Sequence, residues 1–142
     1  MLENRALLAA AVAWSLAQTI KFLVGLLRDR RVNLRYLVST GGMPSAHSAL
    51  VTSLAMAIGR QEGVHSPLFA VAAVFAAVVL YDAAGLRQAV SIQARILNRM
   101  LDEIFSQHAF SEQRLREFLG HTPTEVSVGF GLGLVVGLLA TV

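Results

Sequence analysis

Eight side chains in this sequence carry chemistry that their apolar surroundings do not explain: Lys21, Arg28, Ser45, His47, Asp82, Arg87, His121 and Glu125. Cations and a hydroxyl hold an anion, imidazoles move protons or attack an electrophile, and a carboxylate orients an imidazole. That set suits a phosphoryl group. The absence of cysteine excludes a disulfide framework, thiolate zinc sites and thiol nucleophiles.

Two short stretches carry most of this chemistry. In His121-Thr122-Pro123-Thr124-Glu125, Thr122 reads as a helix N-cap, Pro123 as the first turn and Glu125 as the residue closing a capping box. Glu125 is also four residues from His121, so it can accept a hydrogen bond from one ring nitrogen and leave the other free. A helix N-terminus disfavours protonation of that ring, and a neutral, oriented imidazole is a nucleophile suited to phosphorus. In Pro44-Ser45-Ala46-His47, Ser45 caps the following helix and can donate its hydroxyl to an anion. His47 lies one turn into an apolar helix, where an unpaired ring is costly.

The remaining candidates each have a structural reading beside the functional one. Lys21 either binds a ligand or snorkels to an interface, and Arg28 either binds a ligand or anchors a membrane helix. An unpaired carboxylate inside a membrane boundary costs about 2.5 to 3.5 kcal/mol. Asp82 is therefore expected to pair with Arg87, Lys21 or Arg28, as a structural ion pair or in a direct role. His65 and His108 read as solvated.

These residues sit between long apolar runs. The 142 residues are 55% hydrophobic and 15% charged, with a mean hydropathy of +0.59, too apolar for an ordinary soluble domain. A net charge of +3 and a pI near 10.2 come from one Lys and eleven Arg dispersed between apolar runs, which points to a membrane surface or a phosphate-bearing ligand rather than nucleic acid. Leu7 to Leu27 is long enough to span a bilayer and exceeds a typical signal-peptide core. Gly42 to Gly59 is a shorter second segment, either packed or re-entrant. Ser66 to Leu80, continuing to Gly85, is the third crossing and Pro123 to Val142 the fourth. Between the last two, Leu86 to Phe105 has apolar residues at helical spacing opposite charged ones and reads as an amphipathic helix on the membrane surface. Ser106 to Gly120 is polar and expected to be helical from Ser111 onward. Gly129, Gly133 and Gly137 form a small-residue face for close helix contact, within the chain or as the seam of a homo-oligomer.

The expected fold is thus a single all-α domain over residues 1–142, an integral membrane bundle of about four spans plus an interfacial helix. Alternating crossings put Lys21, Arg28, His47, Asp82, Arg87 and His121 at one boundary. Nine arginines share that side against Arg5 and Arg60 on the other, so the positive-inside tendency turns the site to the cytoplasm.

This constellation resembles the type 2 phosphatidic acid phosphatase superfamily. Its motifs are Lys, six residues, Arg-Pro; then Pro-Ser-Gly-His; then Ser-Arg, five residues, His, three residues, Asp. Lys21 and Arg28 have the first spacing, Pro44 to His47 is close to the second, and Arg116, His121 and Glu125 approximate the third. Gly41 to Ser48, Tyr81 to Arg87 and Leu119 to Val126 look like the small divergent branch described as acid phosphatase/vanadium-dependent haloperoxidase-related. The resemblance implies that His121 attacks phosphorus, Glu125 orients it, and His47 protonates the leaving oxygen and later activates water. It implies that Lys21, Arg28, Ser45 and Arg116 hold the phosphoryl oxygens, with no metal or other cofactor. Asp29, Ala46 and Glu125 depart from the motifs, and the Arg116 to His121 interval is one residue short, which makes Arg87 an alternative to Arg116. Asp82 is left a supporting role particular to this branch. The expected function is a membrane phosphatase acting on a lipid phosphate or isoprenoid diphosphate through a phosphohistidine. The alternatives are a lipid-phosphate-binding or structural protein that keeps the fold without turnover, and a small transporter.

Overall fold

A computed structural model describes residues 4–29, 42–104 and 121–140. Among them are four helices and no strand: α1 (Arg5–Asp29), α2 (Ala46–Glu62), α3 (Pro67–Ile104) and α4 (Pro123–Leu139). Helix α2 is the hub. It packs against all three others, α4 also touches α1 and α3, and among the described residues α1 and α3 do not meet.

The sequence builds this hub from small residues. Ala6, Ala9, Ala10, Ala13 and Ala17 form one buried stripe on α1, recurring at three- and four-residue intervals as a helix face requires. Ala13 and Ala17 pack with Ala46, Ala49 and Val136, while Ala6 and Ala9 pack with Ala57. On the other side, Val51 and Ala55 of α2 meet Ala72 and Ala76 of α3. The large apolar residues point the other way: Leu7, Leu8, Val12, Trp14, Leu23 and Leu27 of α1, and Leu68, Val71, Val74, Phe75 and Val78 of α3, are exposed. Small residues inside and large apolar ones outside is how helices pack when the surrounding solvent is lipid.

Arg5–Leu27 and Pro67–Ala84 are long and apolar enough to cross a membrane, and Pro123–Leu139 is a shorter apolar helix. Helix α2 is packed, with Ala46, Ser48, Ala49, Val51, Thr52, Ser53, Ala55 and Ala57 all buried. This agrees with the packed reading of the second segment and explains why its sequence is less apolar, since most of it faces protein.

The amphipathic stretch after Gly85 differs from expectation. It is helical, but no break separates it from the third crossing: α3 runs through 38 residues to Ile104, about 57 Å at 1.5 Å per residue. The interfacial segment continues that span rather than forming an element of its own. No proline interrupts Pro67 to Ile104 after its first residue, and a lone glycine costs a helix only about 1 kcal/mol. The polar stretch 106–120 lies outside the described residues.

The glycine stripe faces α2. A β-carbon on Gly129 would collide with the Ser45 carbonyl, one on Gly133 would lie 2.6 Å from the Ala49 carbonyl oxygen, and one on Gly137 2.7 Å from Met56 Cβ. Of the two contacts the sequence left open for these glycines, the structure provides the one within the chain.

Candidate functional site

The start of α4 forms as its sequence dictates. Thr122 Oγ1 accepts from the Glu125 amide at 3.2 Å, and Glu125 Oε2 accepts from the Thr122 amide at 2.8 Å. Both halves of the capping box are in place, with Pro123 in the first turn. The same Glu125 oxygen lies 3.5 Å from His121 Nδ1. One carboxylate therefore caps the helix and also lies beside the imidazole.

Ser45 starts α2 in the same way, its Oγ accepting from the Ser48 amide at 3.3 Å and from the Ser48 hydroxyl at 3.0 Å. The Ser45 amide donates to the Glu125 carbonyl at 3.0 Å, tying the entry of α2 to the first turn of α4. Gly129, one turn further along α4, leaves room for that approach. The tie places two helix N-termini side by side, with their unpaired N–H groups and positive dipole ends.

His47 and His121 meet across this junction, their ring centroids 5.9 Å apart in an edge-to-face arrangement at 62°. The two rings differ in environment. His121 is buried, and its Nε2 has no hydrogen-bond partner among the described residues. His47, at the second position of α2, is exposed. Protein does not cover His47; its place beside His121 is what marks it.

Lys21 is buried at 3% exposure, so it does not snorkel out to an interface. Its aliphatic stem passes Gly42, where a β-carbon would lie 3.3 Å from Lys21 Cγ, and Gly42 has a φ of +99° that favours glycine. Its ammonium acts electrostatically on both His121 and Glu125. Burial first, and then the Lys21 charge, hold His121 below the usual histidine range against the opposing pull of Glu125, with His47 lowering it further. A neutral ring is expected beside a helix N-terminus, and solvent exclusion, the largest of these causes, acts in the same direction.

The structure thus brings together Lys21, Ser45, His47, His121 and Glu125, from α1 and the two helix starts. Asp82 is exposed on α3, which packs on α2 and α4 rather than on α1. The side chains of its expected partners Arg28 and Arg87 lie outside the described residues, as does all of Arg116. His65 is exposed, as read, and His108 lies outside the described residues. Sequence reasoning missed Ser48, Gly42 and the backbone tie from Ser45 to Glu125. The spacing of Ser45 and Ser48 fits a cap, which was a usable signal for Ser48; nothing local marks the other two.

Residues 2–136 match the Divergent PAP2 family. The chain belongs to that family. It is also 35% identical over 150 aligned positions to an uncharacterized membrane protein of Bacillus subtilis strain 168, YuiD, covering 98% of this chain and 95% of that protein. No solved structure matches the chain. Family membership, the membrane-protein relative and the apolar exterior of α1 and α3 agree that this is a membrane protein.

Proposed function

We propose that the protein is a membrane phosphohydrolase that cleaves a phosphate monoester or diphosphate borne by a lipid, with His121 as nucleophile. The observation that carries this reading is the pairing of a buried imidazole, held neutral and facing a carboxylate, with a second, exposed imidazole 5.9 Å away. At this separation the rings touch each other, so a phosphoryl group shared by both sits at their common rim rather than between them.

In the first step Nδ1–H of His121 faces Glu125, and the lone pair on Nε2 attacks phosphorus. The P–O bond to the lipid breaks, and the departing oxygen takes a proton from protonated His47. In the second step His47, now neutral, takes a proton from water, the resulting hydroxide attacks the phosphohistidine, and the P–N bond breaks. Inorganic phosphate leaves and the His121 lone pair is restored. Lys21, Ser45 and the two helix N-termini stabilise charge on the phosphoryl oxygens throughout. Arg28, with Arg116 or Arg87, completes the cradle in this reading, and Asp82 supports those cations from α3. The chain crosses the bilayer four times, and the excess of arginine on the site side turns it to the cytoplasm.

The test is phosphate release by purified protein in detergent, across phosphatidate, phosphatidylglycerophosphate and an isoprenoid diphosphate. Wild type should release phosphate and His121→Ala should lose at least about 100-fold, the lower range for removing a group that acts in the transition state. Equal, background release by both across the panel defeats the enzymatic reading. Binding of the same lipids that is lost in Lys21→Ala but kept in His121→Ala would then favour a protein that binds without turnover.

A further inference from the structure

Two serines at the start of α2 share hydrogen bonds in a way that the helix itself does not require. A serine or threonine inside a helix commonly returns its hydroxyl to the carbonyl four residues back. Thr19 does so to the Ser15 carbonyl at 2.8 Å, and Ser127 to the Pro123 carbonyl at 2.9 Å. Ser48 does not. Its hydroxyl donates to Ser45 Oγ at 3.0 Å, and its amide donates to the same oxygen at 3.3 Å. The amide bond alone makes the N-cap, so the hydroxyl bond is additional to it.

A hydroxyl oxygen has two lone pairs and one proton. With both lone pairs of Ser45 Oγ taken, Ser45 can act only as a donor, along the one tetrahedral direction left to it. Both serines are at 0% exposure, so solvent is not at hand to accept that proton. Among the described residues it meets no acceptor either, and a buried donor left unmet is costly. Its surroundings are those of the candidate site: the Ser45 amide is bonded to the Glu125 carbonyl at 3.0 Å, and the Glu125 carboxylate lies beside His121. The close approach of α4 holds Ser48 in place. A β-carbon on Gly129 would lie 3.0 Å from Ser48 Cβ.

We infer that Ser48 is a positioning residue for the bound anion: it fills the second lone pair of Ser45 Oγ and thereby commits the Ser45 proton to an oxygen of the phosphoryl group. This role rests on the phosphoryl reading of the site and adds how the site tells one oxygen from another. A hydroxyl that turns freely accepts from a protonated oxygen as readily as it donates to a bare one, whereas one locked as a donor suits only a deprotonated oxygen. Accepting two hydrogen bonds also polarises the Ser45 O–H and strengthens the bond it donates.

The experiment is a double-mutant cycle on the full chain in detergent, read by vanadium NMR as binding of orthovanadate, which mimics five-coordinate phosphorus. Ser45→Ala removes the donor and should weaken vanadate binding by about 10- to 100-fold, the range for a hydrogen bond to a charged group. Ser48→Ala keeps the capping amide and should weaken binding by about threefold to tenfold, through Ser45 alone. Adding Ser48→Ala to Ser45→Ala should then cost less than about twofold more. A residue that merely supported the helix start would weaken binding by the same factor in both backgrounds. Ser48→Cys, whose thiol is a weak donor, gives the same comparison should Ser48→Ala not fold. If vanadate binds wild type but Ser48→Ala binds it equally well, or if the two losses multiply, the positioning role is wrong while the phosphoryl site stands. If wild type does not bind vanadate, both fall together.

Discussion

Replacing Gly133 by alanine tests how α2 and α4 are joined, and Gly131→Ala supplies its control. Both residues lie within α4, so both substitutions bring the same intrinsic helix gain of about 0.8 to 1.0 kcal/mol. They differ in what the new methyl meets. At Gly131 there is nothing within 4 Å. At Gly133 it would lie 2.6 Å from the Ala49 carbonyl oxygen, 2.7 Å from Thr52 Cβ and 3.1 Å from the Ser53 amide nitrogen, where ordinary contact begins at 3.4 Å. Two of these three atoms are α2 backbone and cannot swing aside, so the helices must part by about 0.8 Å, which for a well-packed interior costs about 1 to 3 kcal/mol. The shared helix gain cancels in the comparison, so Gly133→Ala should be less stable than Gly131→Ala by that full amount. At about 2 to 4 °C per kcal/mol for a chain of this size, the two melting temperatures should differ by several degrees. Far-UV circular dichroism during heating in detergent measures both. Equal melting temperatures would refute the close approach of α4 to α2, and with it the placement of His47 beside His121.

Other consequences follow from the cap and the buried groups. Because burial and Lys21 hold the folded-state pKa of His121 below the unfolded value of 6.5, the unfolded chain binds more protons as pH falls through 6.5. The melting temperature should therefore be level above about pH 6.5 and fall as the solution is acidified towards pH 5. His121→Gln should flatten that slope, and an unchanged slope would mean that His121 is not shielded. Thr122→Ala removes one half of the capping box and should cost about 1 kcal/mol in unfolding free energy, measured by denaturant titration; no loss would mean that the box carries no weight. Gly42→Ala places a side chain at a φ of +99° and 3.3 Å from the Lys21 stem. It should lower stability by about 1 to 2 kcal/mol and weaken vanadate binding through displacement of Lys21. Vanadate affinity equal to wild type would separate that turn from the site.

What could be read from the sequence was what local pattern determines. The capping box at Thr122 to Glu125, the period of Gly129, Gly133 and Gly137, and the apolar lengths of α1 and the start of α3 are encoded within a few turns of chain. The convergence of Lys21, His47 and His121 was legible because reading the apolar runs as alternating crossings brings all three to one boundary. The exposure of His47 was not, since an apolar helix does not say which of its positions neighbours cover. The continuity of α3 past Gly85 was missed because a change from all-apolar to amphipathic pattern looks like a new element, whereas the backbone hydrogen bonding needs no stop there. The donation from the Ser45 amide to the Glu125 carbonyl joins residues 80 positions apart by main-chain atoms alone, and no side-chain identity records it.

The seam between α2 and α4 has a bearing on how such a protein can diversify. Where Gly129 and Gly133 of α4 rest against the Ser45 and Ala49 carbonyls, α4 itself offers no side chain that could be trimmed to vary the distance by small steps. The spacing of the two imidazoles is therefore inherited as a fixed dimension, tolerant of few changes. Variation in what the molecule recognises must arise on the α1 flank, where alanine methyls and one long ammonium-bearing arm form the boundary and single substitutions can reshape it gradually.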